Sequence, residues 1–148
     1  VNHFEAATIK SILNGLLRYF DDIKLSEVGI ITPFQKQVSV LHNIINDSKV
    51  MINSVDQYQG KEKSIIIISC VKSCHSQLTV SSDEILSDER RLNVAITRAI
   101  KKLIIVGNKS TLLHYQSFQK LFNILRKDQF VDLPQNVRQL ANNLNSST

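Results

Sequence analysis

Cysteine occurs only twice in the 148 residues, as Cys70 and Cys74 on either side of a strand end, with His75 alongside. A Cys-x3-Cys-His cluster is half a zinc site, but no second pair of ligands has suitable spacing, which leaves metal as the poor reading. Idle thiols in a reducing compartment fit better. No apolar run approaches the roughly 20 residues of a membrane span, and the N-terminus lacks a signal-peptide pattern. A soluble, intracellular protein is expected. The chain has no Gly-x4-Gly-Lys-Ser/Thr and no apolar strand ending in paired carboxylates for magnesium, so it cannot cradle a triphosphate by P-loop mechanics. Nor is there an internal repeat. The first residues already read as part of a structured element, which suggests a fragment of something longer.

What is present is enough for one domain with a substantial core. Eighteen Lys and Arg against thirteen Asp and Glu give a net charge of +5 and a pI near 9.3, a tilt toward a polyanionic partner. The basic residues are spread out, not clustered.

Asn2 followed by Glu5 suggests a capping box, and Ile9, Ile12, Leu13, Leu16, Leu17 and Phe20 recur at helical spacing, which predicts a helix from His3 to Phe20. Val28 to Thr32 reads as a short apolar strand stopped by Pro33. Gln35 to Asn46 follows as a helix with Val38, Leu41, Ile44 and Ile45 inward. Val50 to Ser54 is a second strand. Ser64 to Val71 is the strongest, because its four consecutive isoleucines imply burial on both faces. Lys72 to Ser87 reads as an exposed connection. Past Gly107, helices are expected near Ser110 to Leu113 and Ser117 to Lys127. The residues divide into a domain over 1–134 and a polar tail over 135–148 whose end is expected to fray.

The stretch Asp88 to Ala99 organises the rest. Asp88 is a plausible N-cap, with Arg91 at N3 in place of the usual Glu or Gln. At roughly 100° per residue, Leu92, Ala95, Ile96 and Ala99 fall on one side of a helix, and Arg91 and Arg98 share one flank of that stripe. Leu103 to Gly107 then reads as a strand buried on both faces. Docking on a sheet needs only the apolar stripe, so the arginines are surplus to packing. Arg98 could simply favour a helix C-terminus, where a cation contributes about 0.3 to 1 kcal/mol.

Strands alternating with helices, each strand apolar throughout, predict an α/β domain with a mainly parallel sheet flanked by helices. Loops at the carboxyl ends of such strands carry function. Two of them begin with hydroxyls, Thr32 and Ser54, which suit phosphate oxygens, although turn capping is the commoner use. In the loop from Val55 to Lys63, Gly60 permits a tight backbone path and Glu62 is a charged acceptor beside a sheet edge, suited to a sugar hydroxyl. An arginine-bearing α/β domain without a phosphate loop makes chemical sense if a nucleotide lies on another domain and Arg98 reaches it as an arginine finger.

Three segments resemble the helicase motifs of superfamily 1B, in the right order: Gly29 to Phe34 (GIITPF) motif IV, Asn53 to Lys63 (NSVDQYQGKEK) motif V, and Arg90 to Ala99 (RRLNVAITRA) motif VI. Together they cover about Val28 to Asn108. Within the superfamily, the phrase Val55 to Lys61, the stretches Leu121 to Leu125 and Val131 to Pro134, and the Asn2-x-x-Glu5-Ala6 opening are similar to the DNA-replication nuclease/helicases that trim Okazaki-fragment flaps and resect broken ends. RNA helicases of nonsense-mediated decay share the motifs but not that ending.

The resemblance implies a second RecA-like motor domain of a 5′-to-3′ DNA helicase. It further implies ATP with Mg2+ held mainly by a first RecA-like domain, and single-stranded DNA running across both. By resemblance Arg98 supplies charge to the γ-phosphate, Glu62 accepts from the ribose, Gly60 lets the backbone approach, and Thr32 and Ser54 hold strand phosphates. Arg91 links nucleotide state to domain closure. Relatives often place a second γ-phosphate arginine in or just after motif IV. Here Lys36 is the available substitute, without the planar fork of an arginine. Glu89 also stands where relatives tend to have an aromatic residue. The relatives' nuclease and iron-sulfur cluster belong to other domains, a single-strand-binding protein is an expected partner, and the nucleus, with the mitochondrion as a second site, is the expected location. This stretch alone is expected to be inactive in hydrolysis. An RNA helicase, or a non-catalytic nucleic-acid-binding domain that kept the fold, remain the alternatives.

Overall fold

In the computed structural model, which describes residues 1–72 and 85–133, four strands form one all-parallel sheet in the order β2-β1-β3-β4. They are β1 (Val28–Thr32), β2 (Met51–Ser54), β3 (Lys63–Ser69) and β4 (Ala99–Val106). Helices α1 (His3–Tyr19) and α2 (Gln35–Ile45) cover one face. The other face carries α3 (Glu89–Ile96), α4 (Lys109–Leu112) and α5 (Gln116–Ile124). The Cys74 and His75 reading, most of the connection from Lys72 and the tail from Gln135 lie outside the described residues. Cys70 is buried, and among the described residues it has no disulfide partner. Among the described residues no helix is long and apolar enough to cross a membrane.

The four isoleucines of β3 show why both faces must be covered. Alternation sends Ile65 and Ile67 into the α1/α2 layer with Ile9, Leu13, Val38 and Leu41. Ile66 and Ile68 enter the opposite layer with Tyr58, Ala95, Tyr115 and Phe118. Each fully buried isoleucine contributes about 1.5 to 3 kcal/mol, and β3, central between β1 and β4, is where that term concentrates. Asn46 ends α2 in the left-handed region (φ 50°), a conformation that asparagine tolerates at a helix C-terminus.

Three sequence expectations change at the end of motif VI and in the connection before it. Helix α3 stops at Ile96 rather than running to Ala99, because the Thr97 hydroxyl bonds back to the Asn93 and Val94 carbonyls and closes the last turn. Ala99 begins β4, so that strand starts four residues before Leu103. It is not buried on both faces: among the described residues β4 is an edge strand, with Ile100, Lys101 and Lys102 exposed and Leu103 to Val106 half-buried. Lysines on such an edge oppose pairing with another chain. The connection before α3 is not wholly exposed either. Residues Ile85–Ser87 form a 3-10 turn in which Leu86 is buried and its carbonyl accepts the Ser117 hydroxyl.

Candidate functional site

Parallel strands sort the candidate residues to two ends of the sheet. At the amino end, the Lys63 N–H donates to the Arg98 carbonyl at 3.0 Å, and Lys63 is in register with Ala99. Glu62 and Arg98, distant in sequence, therefore each adjoin this one junction. Glu62 is exposed, and so is Gly60, whose φ of 74° is a backbone state that disfavours any side chain. Arg98 is half-buried. Its Nε donates to the Val94 carbonyl at 3.1 Å and its Nη2 to the Thr97 hydroxyl at 3.2 Å. A guanidinium carries five N–H donors, so these bonds aim the group while leaving donors for an anion.

At the carboxyl end, Thr32 and Ser54 are register partners on β1 and β2. They are not equivalent. Thr32 is fully buried and its hydroxyl accepts the Phe34 N–H at 3.5 Å, a turn-forming role at Pro33. Ser54 is half-buried, and its backbone N–H donates to the Gln57 side chain at 3.4 Å. Lys36, exposed in the first turn of α2, belongs to this end, as does Lys72, whose ammonium lies 5.9 Å from the Phe34 ring centroid. Lys36 is thus not brought to Glu62 and Arg98. The five residues of β1 separate the two ends by roughly 15 Å at about 3.3 Å per residue.

The Val55–Glu62 segment crosses from one end to the other over β1 with a single 3-10 turn, Asp56–Tyr58, in place of an α-helix, and Tyr58 sets its path. That side chain is fully buried and its hydroxyl donates to the Met51 carbonyl. The crossing is possible because residue 29 is glycine: a Cβ there would collide with the Tyr58 hydroxyl and sit 2.9 Å from Ile66 Cδ1. Glu62 accordingly precedes the central strand β3 and does not lie at a sheet edge, as its sequence context suggested.

Helix α3 runs in the same sense, from the carboxyl end of the sheet to the amino end. Asp88 caps it by accepting the Arg90 and Arg91 N–H groups at 3.0 and 3.3 Å, as its position implied. Arg91 Nε then lies 3.3 Å from Asp56 Oδ1 and 3.7 Å from Asp88 Oδ2. Both side chains of the Arg91–Asp56 pair are substantially exposed (40% and 62%), so the pair adds little stability but ties motif VI to motif V just after Ser54. The Glu89 carboxylate forms an exposed surface pair with Lys120 of α5 at 3.2 Å. Sequence reasoning missed Asp56, Tyr58 and Lys120, whose partners are 31 or more residues away or depend on the crossing path. Among the described residues no cluster of His, Cys, Asp or Glu could hold a metal.

Comparison with known proteins bears on what this arrangement serves. A family model described as an AAA domain matches residues 1–110. The chain is 43% identical over 112 residues to the "DNA replication ATP-dependent helicase/nuclease DNA2" of Homo sapiens, covering 74% of this chain and 10% of that protein. It is 42% identical over 115 residues to the protein of that name in Bos taurus, covering 75% and 11%. Identity to the Schizosaccharomyces pombe protein is 37% over 131 residues, covering 88% and 9%. The chain spans about a tenth of the length of the curated relatives it matches. With a parallel sheet covered on both faces, motifs IV, V and VI in order and no phosphate loop of its own, the chain belongs to the AAA domain family as a RecA-like helicase domain of the superfamily 1 type.

Proposed function

We propose that this domain is the second motor half of an ATP-dependent 5′-to-3′ DNA helicase acting in nuclear DNA replication and repair. The reading rests on one observation above the others: the Lys63–Arg98 backbone bond joins the end of motif V to the end of motif VI at the amino end of the sheet. There Arg98 stabilises negative charge on the γ-phosphate as an arginine finger, Glu62 accepts from the ribose hydroxyls, and the bare Gly60 backbone admits the nucleotide. Magnesium and the phosphate loop come from a first motor domain. Ser54 and its neighbours form the track for single-stranded DNA at the opposite end, with Thr32 shaping the turn rather than touching phosphate. Lys36 contacts the strand or a phosphate from that end.

The separation of the two sites suits a motor. ATP favours the closed pair of domains, hydrolysis releases it, and α3 with the Asp56–Arg91 pair links the nucleotide end to the strand end. The test is single-strand-stimulated ATPase in the intact protein, wild type against Arg98→Ala. Turnover should fall on the order of 10³-fold or more with ATP affinity little changed. Unchanged turnover would remove Arg98 from the site and favour a binding domain that kept only the fold.

A further inference from the structure

A buried polar cluster at the carboxyl end of β3 has no part in the roles assigned above. Glu5 looks like the second half of a capping box, yet its carboxylate does not turn back to the Asn2 N–H. It points inward, where Oε2 accepts the Ser69 hydroxyl at 2.7 Å and the Val71 N–H at 2.8 Å. Asn2 completes the helix cap alone, accepting the Glu5 N–H at 3.0 Å, and its side-chain amide donates to the Val71 carbonyl at 3.0 Å. The Asn2 N–H donates to Gln37 Oε1 at 2.8 Å, and Gln37 Nε2 donates to the Asn2 carbonyl at 2.9 Å and to Ser69 Oγ at 3.4 Å. Asn2, Glu5, Gln37 and Ser69 are all buried.

Both polar groups of Val71 are therefore held by side chains from the first turn of α1, and Val71 is the residue that needs holding. Its φ is 69°, in the left-handed region that a β-branched residue rarely enters. The Lys72 N–H donates back to the Cys70 carbonyl at 2.8 Å and closes a three-residue turn about Val71, the strained form of that turn. Such a conformation persists only where its surroundings over-determine it. The turn delivers Lys72 to the Phe34 ring, which follows Thr32 and Pro33.

We propose that Glu5 is a positioning residue: with Asn2 it clamps Val71 in a left-handed turn and so sets where the chain leaves the central strand, with Lys72 over Phe34, at the strand-binding end of the sheet. The proposal rests on the reading of that end as the DNA track. The donors converging on Glu5 match a carboxylate, so the clamp is strongest when the group is ionised. The surroundings contribute Ser69 from β3, Cys70 just after it, Gln37 from α2 and Asn2 from the start of Glu5's own helix. Cys70 is the only other titratable group among them, and among the described residues no cation faces Glu5.

The test uses the intact protein with Glu5→Ala, Glu5→Gln, Val71→Gly and the Glu5→Ala/Val71→Gly double variant, with Ser54→Ala as a control. Single-strand affinity, ATP affinity and hydrogen exchange over residues 66–72 are measured at pH 6 to 8. Glu5→Ala should weaken strand binding by about tenfold, the scale of one charge-assisted hydrogen bond, with ATP affinity unchanged and exchange near Val71 faster. Val71→Gly should restore most of that loss, because glycine enters the left-handed region without help. Wild-type strand affinity should fall from pH 8 to pH 6, and Glu5→Gln should flatten that profile. No rescue by Val71→Gly, or equal losses of strand and ATP affinity, would overturn the proposal. If Ser54→Ala weakens strand binding while Glu5→Ala does not, the clamp role fails and the track survives. If Ser54→Ala is inert and Glu5→Ala alters exchange alone, the track reading fails and takes the proposal with it.

Discussion

Arg98 Nε lies 3.1 Å from the Val94 carbonyl oxygen, four residues earlier in the chain and within α3, so the guanidinium at the nucleotide end is braced by the end of its own helix. The proposed finger thus also caps a helix, and the two roles separate by magnitude. Arg98→Ala should cost about 0.3 to 1 kcal/mol of stability through the lost cap and dipole interaction, far less than the change expected in turnover. Arg98→Lys keeps the charge but lacks the fork, and should remain strongly impaired in turnover. Thermal unfolding alongside single-turnover hydrolysis separates the two effects.

Gly29→Ala should destabilise the domain by about 1 to 3 kcal/mol, since a Cβ there meets the Tyr58 hydroxyl and Ile66 Cδ1. Tyr58→Phe removes one of the colliding atoms, so the double variant should be less damaged than the sum of the singles. A double-mutant cycle from denaturant midpoints measures that coupling. Additive losses would mean that Tyr58 does not cross over residue 29.

The Asp56–Arg91 pair should show its value in coupling rather than stability. Both partners are substantially exposed, so Asp56→Ala should change stability by less than about 1 kcal/mol. If the pair transmits nucleotide state, the same change should lower the stimulation of ATPase by single strands while leaving basal hydrolysis close to wild type. Equal effects on both rates would reduce the pair to a surface contact.

Burial raises the Glu5 carboxyl from its usual 4.5 to about 7, against the lowering effect of bonds from Ser69 and Val71. A folded-state pKa above the unfolded value means that the native state holds a proton which the unfolded chain releases between these two pH values. Glu5's contribution is therefore fully present below pH 4.5 and is lost as pH rises through about 7, a change of about 3 kcal/mol at 1.36 kcal/mol per pH unit. Protection of β3 amides in hydrogen exchange, corrected for intrinsic rates, should fall over that interval in wild type and stay level in Glu5→Gln. This stability trend runs opposite to the proposed strand affinity, which gains from the ionised form, and the opposition distinguishes clamp strength from folding energy.

Much of the fold is legible in the residues alone because it depends on short-range pattern. The isoleucine run of β3, the period of α1 and α2 and the Asp88 cap each report on neighbours a few residues away, and hydrophobic alternation leaves few other foldings of those segments. The order of strands and helices and the parallel sheet followed from that reading, and the helicase-like motifs from their resemblance to a known family. Where short-range rules compete, it failed. The Thr97 hydroxyl ended α3 before the apolar stripe did, and β4 became an edge because nothing in its own residues reveals how many neighbours it has.

Only the tertiary structure decided which end of the sheet each candidate occupies. Sequence groups Glu62 with Ser54 and Arg98 with Arg91, but a parallel sheet with a crossing over β1 places Glu62 near Arg98 and leaves Ser54 opposite Thr32. It also buried the Thr32 hydroxyl that sequence offered to phosphate, and turned Glu5 from a helix cap into a clamp 66 residues away on Val71. The sequence by itself determined the elements and their order, because local backbone preference and side-chain periodicity are set within a turn or two of chain. Which side chains meet was settled by sheet register and the burial of both faces, long-range terms that no single segment carries.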